Sequence, residues 1–188
     1  MIILGIDEAG RGPLSGPVVA AGVILDNDKI IEGLNDSKKL SDKKRELLYE
    51  EIIFKAKAYS IVEISPQEID DLNILQATLK AMKQVADNLV GQFDKVLVDG
   101  NKLPKWNYNS EAIVKGDSKI LEISAASILA KVHRDKICLE HDKIYPEYGF
   151  AKHKGYPTKV HLENIKQHGV LDIHRKSYKP VANLLKLD

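Results

Sequence analysis

Short apolar runs bounded by glycine, proline or polar clusters alternate along the chain with amphipathic stretches, and these two periods separate strands from helices. Residues 2–7 form a short apolar run that predicts a buried strand. Residues 16–25 predict a second strand, joined to the first by a tight Gly/Pro-rich connection. An amphipathic helix is expected over 42–57 behind Ser41, then a strand over 58–65. Ser65-Pro66-Gln67-Glu68 supplies an N-cap, a proline at the first helical position and a capping-box acid, and a long helix is expected over 73–90. Residues 93–100 predict a buried strand ending in an acid, and 111–117 predict another. A long helix over 118–143 carries small residues at Ser124, Ala125, Ala126 and Ala130, where it can approach a sheet closely. Thr158 opens a further helix that ends at Gly169. A hairpin-like run of strands followed by alternating strands and helices predicts an α/β domain on a mixed sheet.

No internal repeat, low-complexity tract or Gly/Ser linker interrupts residues 1–188, so one continuous domain is expected, with a helical C-terminal part over 140–188. With 44% hydrophobic and 29% charged residues, the composition argues against a disordered, collagen-like or coiled-coil chain. The lone Cys138 has no partner for an internal disulfide and lacks the company of a Cys-rich zinc module. No apolar run approaches the ~18 residues of a membrane span, and no basic leader precedes the first strand. The expectation is a cytoplasmic protein without membrane association. The net charge of +1 conceals an asymmetry: residues 1–114 hold 14 basic against 18 acidic residues, whereas residues 115–188 hold 14 against 9 and all six histidines. A basic C-terminal third beside an acidic remainder suits the delivery of a polyanion to a carboxylate site.

Candidate chemistry lies at strand ends. Asp7-Glu8 closes the first predicted strand, Asp99 closes another, and Asp117 follows the Ile-Val-Lys-Gly run. Ligands of open α/β sheets bind beyond the carboxyl ends of strands, so acids placed there can converge. Two carboxylates ~4 Å apart repel by roughly 4 kcal/mol at an effective dielectric near 20, so convergence calls for a proton or a cation. An all-oxygen acidic set suits Mg2+ or Mn2+ rather than zinc, and such clusters clamp phosphoryl oxygens during phosphodiester hydrolysis. The loop Gly10-Arg11-Gly12-Pro13-Leu14-Ser15-Gly16 looks at first like a dinucleotide fingerprint. Its glycine spacing is wrong, however, and a strand follows where a helix is required, which excludes a nucleotide-binding dehydrogenase. What remains is bare backbone beside one arginine, able to approach a sugar or phosphate.

Taken together, the motifs resemble those of the type 2 ribonucleases H. They are Gly5-Ile6-Asp7-Glu8-Ala9-Gly10-Arg11-Gly12-Pro13, Asn35-Asp36-Ser37-Lys38-Lys39-Leu40, Val98-Asp99-Gly100, Lys115-Gly116-Asp117, the run from Ser124 to Lys131, His153-Lys154-Gly155-Tyr156-Pro157-Thr158, and His174-Arg175. The matches run in order from residue 5 to about 181. The resemblance implies an RNase H-like fold, with Asp7, Glu8, Asp99 and Asp117 as catalytic and metal-binding carboxylates for Mg2+ or Mn2+. It implies cutting of the RNA strand of RNA/DNA hybrids and nicking 5′ to single ribonucleotides embedded in duplex DNA, leaving a 3′-hydroxyl and a 5′-phosphate. By the same match, Gly10, Arg11, Gly12 and Tyr156 read the 2′-hydroxyl at the RNA-to-DNA junction, and Lys38 and Arg175 contact phosphates. Lys39, Ser124 and Lys131 carry no assigned role.

The Gly-Arg-Gly loop favours type 2 over the related type 3 enzymes, which usually carry lysine at the Arg11 position and add an N-terminal domain. The C-terminal residues 183–188 lack the paired aromatics of a sliding-clamp motif, and a monomer is expected. The competing reading is a module that binds RNA/DNA duplexes without cutting them, against which the four acids argue, because bare carboxylates repel phosphate. Cys138 with His141 makes only an isolated C-x-x-H, and Trp106 with Tyr108 is expected to pack rather than stack on a base.

Overall fold

In the computed structural model the described residues are 1–34 and 39–186. Strands β1 (Ile3–Ala9), β2 (Val18–Ile24), β3 (Ala58–Ile64), β4 (Lys95–Asp99) and β5 (Ser110–Ile113) form one mixed sheet in the order β3-β2-β1-β4-β5. β2 runs antiparallel to both β1 and β3, whereas β1, β4 and β5 run parallel. All of β2 is buried, so its alternating side chains serve two cores at once. Val18, Ala20 and Ile24 pack with the helical residues Ile69, Ala77, Ala81 and Val85 on one face, and Val19, Ala21 and Val23 with Leu48, Ile52, Ala125 and Leu129 on the other.

Helices α1 (Asp42–Lys55), α2 (Pro66–Leu72), α3 (Ile74–Asn88) and α4 (Leu121–Ile144) cover these faces. Side-chain oxygens of Ser41, Ser65 and Asn73 accept from backbone N–H groups in the first turns of α1, α2 and α3. α4 lies almost against β1, where a Cβ on Gly5 would come within 2.3 Å of the Glu122 carbonyl carbon. That approach requires glycine. The small residues Ala125, Ala126 and Ala130, all fully buried, continue the close packing along α4.

Two short helices, α5 (Phe150–His153) and α7 (Lys179–Leu185), flank α6 (Lys159–His168), which is capped by Thr158 and ends at Gly169. Their apolar side chains close a third small core of Tyr148, Phe150, Ile165 and Val181 around Leu14. Leu14 belongs to the loop between β1 and β2, so the C-terminal helices clasp the glycine loop. Among the described residues no helix is long and apolar enough to cross a membrane.

The strand expected over 111–117 ends at Ile113. Lys115 adopts a left-handed conformation (φ 56°), and Gly116–Ser118 form a short 3-10 turn. The apolar pattern continues through Val114, but the backbone has already left the sheet.

Candidate active site

The parallel half of the sheet delivers the acids. Ile6 is paired with Val98, so the next residues of these parallel strands, Asp7 and Asp99, stand side by side, while Asp7 remains paired with Ala21 of β2. Asp99 is in turn paired with Ile113, after which the chain bends through Lys115 and returns Asp117, whose N–H donates to Asp99 Oδ1 at 3.2 Å. The Glu8 N–H donates to Asp7 Oδ1 at 2.8 Å. Asp7 and Asp117 are buried, and Glu8 is nearly so. Burial first, then repulsion from Glu8 and Asp99, pushes the Asp7 carboxyl well above its usual range. Burial also raises Glu8, partly offset by the Asp7 hydrogen bond and by Arg11, whose guanidinium lies 3.9 Å away.

An open cleft of about 450 Å³ extends from this cluster. Glu8 and Asp117 line it together with Gly10, Arg11, Gly12 and Tyr156, and Arg45 and Lys131 add two further cationic side chains. Tyr156 is 42% exposed, and its ring lies 3.4 Å from where a Cβ of Gly12 would stand, so the phenol packs on bare backbone. The two sides are stitched together by Leu14 N–H donating to the Gly155 carbonyl at 2.7 Å. Carboxylates beside cationic side chains within one groove suit a phosphate backbone carried past an acidic centre.

The sequence model of ribonuclease HII matches residues 4–181. The chain belongs to the ribonuclease HII family. It is 84% identical over 185 residues to a ribonuclease HII of Francisella tularensis, covering 98% of this chain and 99% of that one. Among solved structures, the ribonuclease H2 of Pyrococcus horikoshii superposes with a TM-score of 0.85 at 28% identity, covering 100% of this chain and 98% of that one. The ribonuclease HII of Archaeoglobus fulgidus, solved in complex with PCNA, gives a TM-score of 0.81 at 28% identity, covering 97% and 96%. The chain is accordingly an enzyme with ribonuclease H activity on RNA/DNA, and the RNase H-like mixed sheet expected from the motifs is the fold observed.

Ribonuclease HII enzymes depend on divalent metal. The donors here are carboxylate oxygens, the set that hard cations prefer. Among the described residues, Glu8 Oε2 is buried without a hydrogen-bond partner, and Asp7 is driven toward protonation. A divalent cation would relieve both conditions. Among the described residues no three acidic, histidine or cysteine side chains already close into a metal-ligating shell. The fit therefore rests on donor chemistry and orphaned charge.

Of the substrate residues expected from the ribonuclease HII motifs, Gly10, Arg11, Gly12 and Tyr156 meet in the cleft, while Lys38 lies outside the described residues. Arg175, expected to contact phosphate, is instead turned inward beneath the glycine loop. It is fully buried, and its guanidinium donates to the carbonyls of Gly10, Arg11, Pro13 and Gly16 and to the Tyr178 hydroxyl. Arg134 was not singled out by sequence reasoning, yet it does the same from the other side, donating to the carbonyls of Ser15, Pro17 and Lys154. A Cβ on Gly10 (φ +90°) would fall 2.2 Å from its Nε. Nothing in the local sequence around Arg134 distinguishes it from a solvated arginine. Ser124 is buried and donates to the Leu34 carbonyl, a packing role, whereas Lys131 lines the cleft and pairs with Asp135 at 3.2 Å. Trp106 packs edge-on to Tyr108 against the core and donates to Ser110, and the buried Cys138 thiol meets Arg134 rather than His141.

Proposed function

We propose that this chain, besides cutting the RNA strand of RNA/DNA hybrids, nicks duplex DNA 5′ to a single embedded ribonucleotide, leaving a 3′-hydroxyl and a 5′-phosphate. The supporting observation is that one cleft is lined both by Glu8 and Asp117 of the acidic cluster and by the bare Gly10–Gly12 backbone against the Tyr156 ring. Only the 2′-hydroxyl distinguishes a ribonucleotide from its neighbours, and exposed peptide groups are donors and acceptors that can meet it. The Tyr156 ring offers a flat apolar face to the following sugar, where a second 2′-hydroxyl would be crowded. Arg11 and Lys131 draw the backbone into the groove, and Lys38 is assigned a phosphate contact on its motif alone.

Asp7, Glu8, Asp99 and Asp117 would hold Mg2+ or Mn2+. When bound, such ions supply a water of lowered pKa and charge support for the departing 3′-oxygen. The chain's own part is to keep these four carboxyls beside the scissile phosphate and to hold the 2′-hydroxyl at a set distance from them. In this reading the enzyme works as a monomer in the cytoplasm.

The test is a DNA duplex with one ribonucleotide, incubated with Mg2+ or Mn2+ beside an all-DNA duplex and an Asp99→Asn protein. A nick 5′ to the ribonucleotide, absent from both controls, is expected. Cutting of long hybrids alone would remove the junction-reading role of Gly10–Gly12 and Tyr156, and normal cutting by Asp99→Asn would overturn the carboxylate assignment.

A further inference from the structure

Behind Tyr156 lies a run of buried histidines that the chemistry above does not use. Leu171 N–H points at His174 Nδ1 at 2.9 Å. His174 Nε2 faces His161 Nε2 at 2.9 Å, and His161 Nδ1 faces the carbonyls of Gly155 and Tyr156, each at 3.0 Å. An amide N–H can only donate and a carbonyl can only accept, so the chain of bonds has one direction. From the Leu171 end, His174 Nδ1 is bare and its proton is on Nε2. From the carbonyl end, His161 carries its proton on Nδ1 and leaves Nε2 bare. The two ends independently require the same arrangement, in which His174 donates to His161. A third imidazole, His153, stacks on His161 with ring centroids 4.1 Å apart, and its Nδ1 accepts from Gly155 N–H at 3.0 Å.

The segment held in this way is conformationally unusual. Lys154 (φ 55°) and Gly155 (φ 86°) are successive left-handed residues, and a Cβ on Gly155 would come within 2.5 Å of Ser15 Oγ. Such backbone persists only where its surroundings dictate it. Here the His161 imidazole grips both peptide groups that flank the Cα of Tyr156, and Leu14 ties the same Gly155 carbonyl to the glycine loop.

We propose that His161 and His174 are positioning residues: as a directed relay of neutral imidazoles they set the Tyr156 ring against Gly10–Gly12 and so determine the preference for the RNA-to-DNA junction. This rests on the junction-reading role proposed for Tyr156. Burial holds His161 near pKa 4 and His174 near 3, in keeping with uncharged rings.

The test compares kcat/KM on the single-ribonucleotide duplex with kcat/KM on a long RNA/DNA hybrid. His161→Asn places an amide donor near the Nδ1 position and keeps the grip on the loop, whereas His161→Gln reaches toward His174 and abandons the two carbonyls. The ratio is expected to fall about 10-fold or more in His161→Gln and to stay within about 3-fold of the unsubstituted enzyme in His161→Asn, because sub-ångström misplacement is felt strongly in oriented reactions. A parallel loss on both substrates, or an unchanged ratio in His161→Gln, would overturn the relay. Tyr156→Ala separates the two ideas: if it leaves the ratio unchanged, the junction reading itself fails and this inference falls with it. Imidazole 15N shifts of the unsubstituted protein decide the matter independently of any variant's folding. Protons on His161 Nδ1 and His174 Nε2 support the relay, and the opposite tautomers would refute it.

Discussion

A buried cation is usually a liability, yet the loop between β1 and β2 is held by two. Carbonyls that a glycine-rich turn leaves without ladder partners need donors, and the guanidinium fork can serve several of them from fixed positions. Burial lowers the Arg175 pKa only to about 10, so it remains charged at neutral pH. Arg175→Lys keeps the charge but forfeits most of these bonds, and should lower stability in urea by about 2 kcal/mol or more. It should leave the salt dependence of substrate binding unchanged, whereas loss of a true phosphate contact reduces that slope by about 1. Asp7 obeys the opposite logic. Its raised pKa means that the metal-free folded state binds more protons than the unfolded chain, so this group's contribution to stability is present at acid pH and lost as pH rises through the folded value. At pH 7, Asp7→Asn should therefore raise metal-free stability by about 1 kcal/mol while weakening the thermal upshift that Mn2+ confers on the unsubstituted protein. Thermal melts with and without Mn2+ check both.

At the scale of elements, caps carry their usual weight. Thr158 Oγ1 accepts from His161 N–H at 3.1 Å, so Thr158→Ala should cost about 1 kcal/mol in chemical denaturation. Ser41, Ser65-Pro66 and Thr158 were legible because capping is local: the side chain and the amide it meets are three residues apart. β5 is shorter than its hydropathy suggests for the complementary reason. Ile113 and Val114 continue an apolar run, but hydropathy carries no trace of the left-handed Lys115 that turns Asp117 toward Asp99. α5 and α7 lack side-chain caps and extend only 4 and 7 residues, too short for a helical period to stand out.

For the whole molecule, the interior beneath Tyr156 should set acid sensitivity. His161 and His174 have folded pKa values near 4 and 3, below the ordinary 6.5. Their stabilising effect is complete above pH 6.5 and is lost as pH falls toward 4, because the unfolded chain takes up protons that the folded one refuses. Each contributes a slope of up to about 1.4 kcal/mol per pH unit in that window, and repulsion among His153, His161 and His174 adds to the burial that opposes protonation. A series of urea midpoints from pH 7 to 4.5 should fall accordingly, more steeply than for a His161→Asn, His174→Asn double variant.

Much of the molecule follows from short-range sequence pattern: the order of strands and helices, the mixed sheet and the placing of acids in or just after strands. Period and capping are set by neighbours within a few residues, and the motif set names the family. The tertiary structure decided how those acids meet, since the parallel pairing of β1, β4 and β5 determines that Asp7, Asp99 and Asp117 emerge together. It also decided that Arg175 is an internal strut for Gly10, Arg11, Pro13 and Gly16, more than 150 residues away in the chain. Burial and hydrogen-bond direction are properties of the packed chain. A buried arginine beneath a loop and a solvated one on a surface are the same letter in the sequence and opposite in physics.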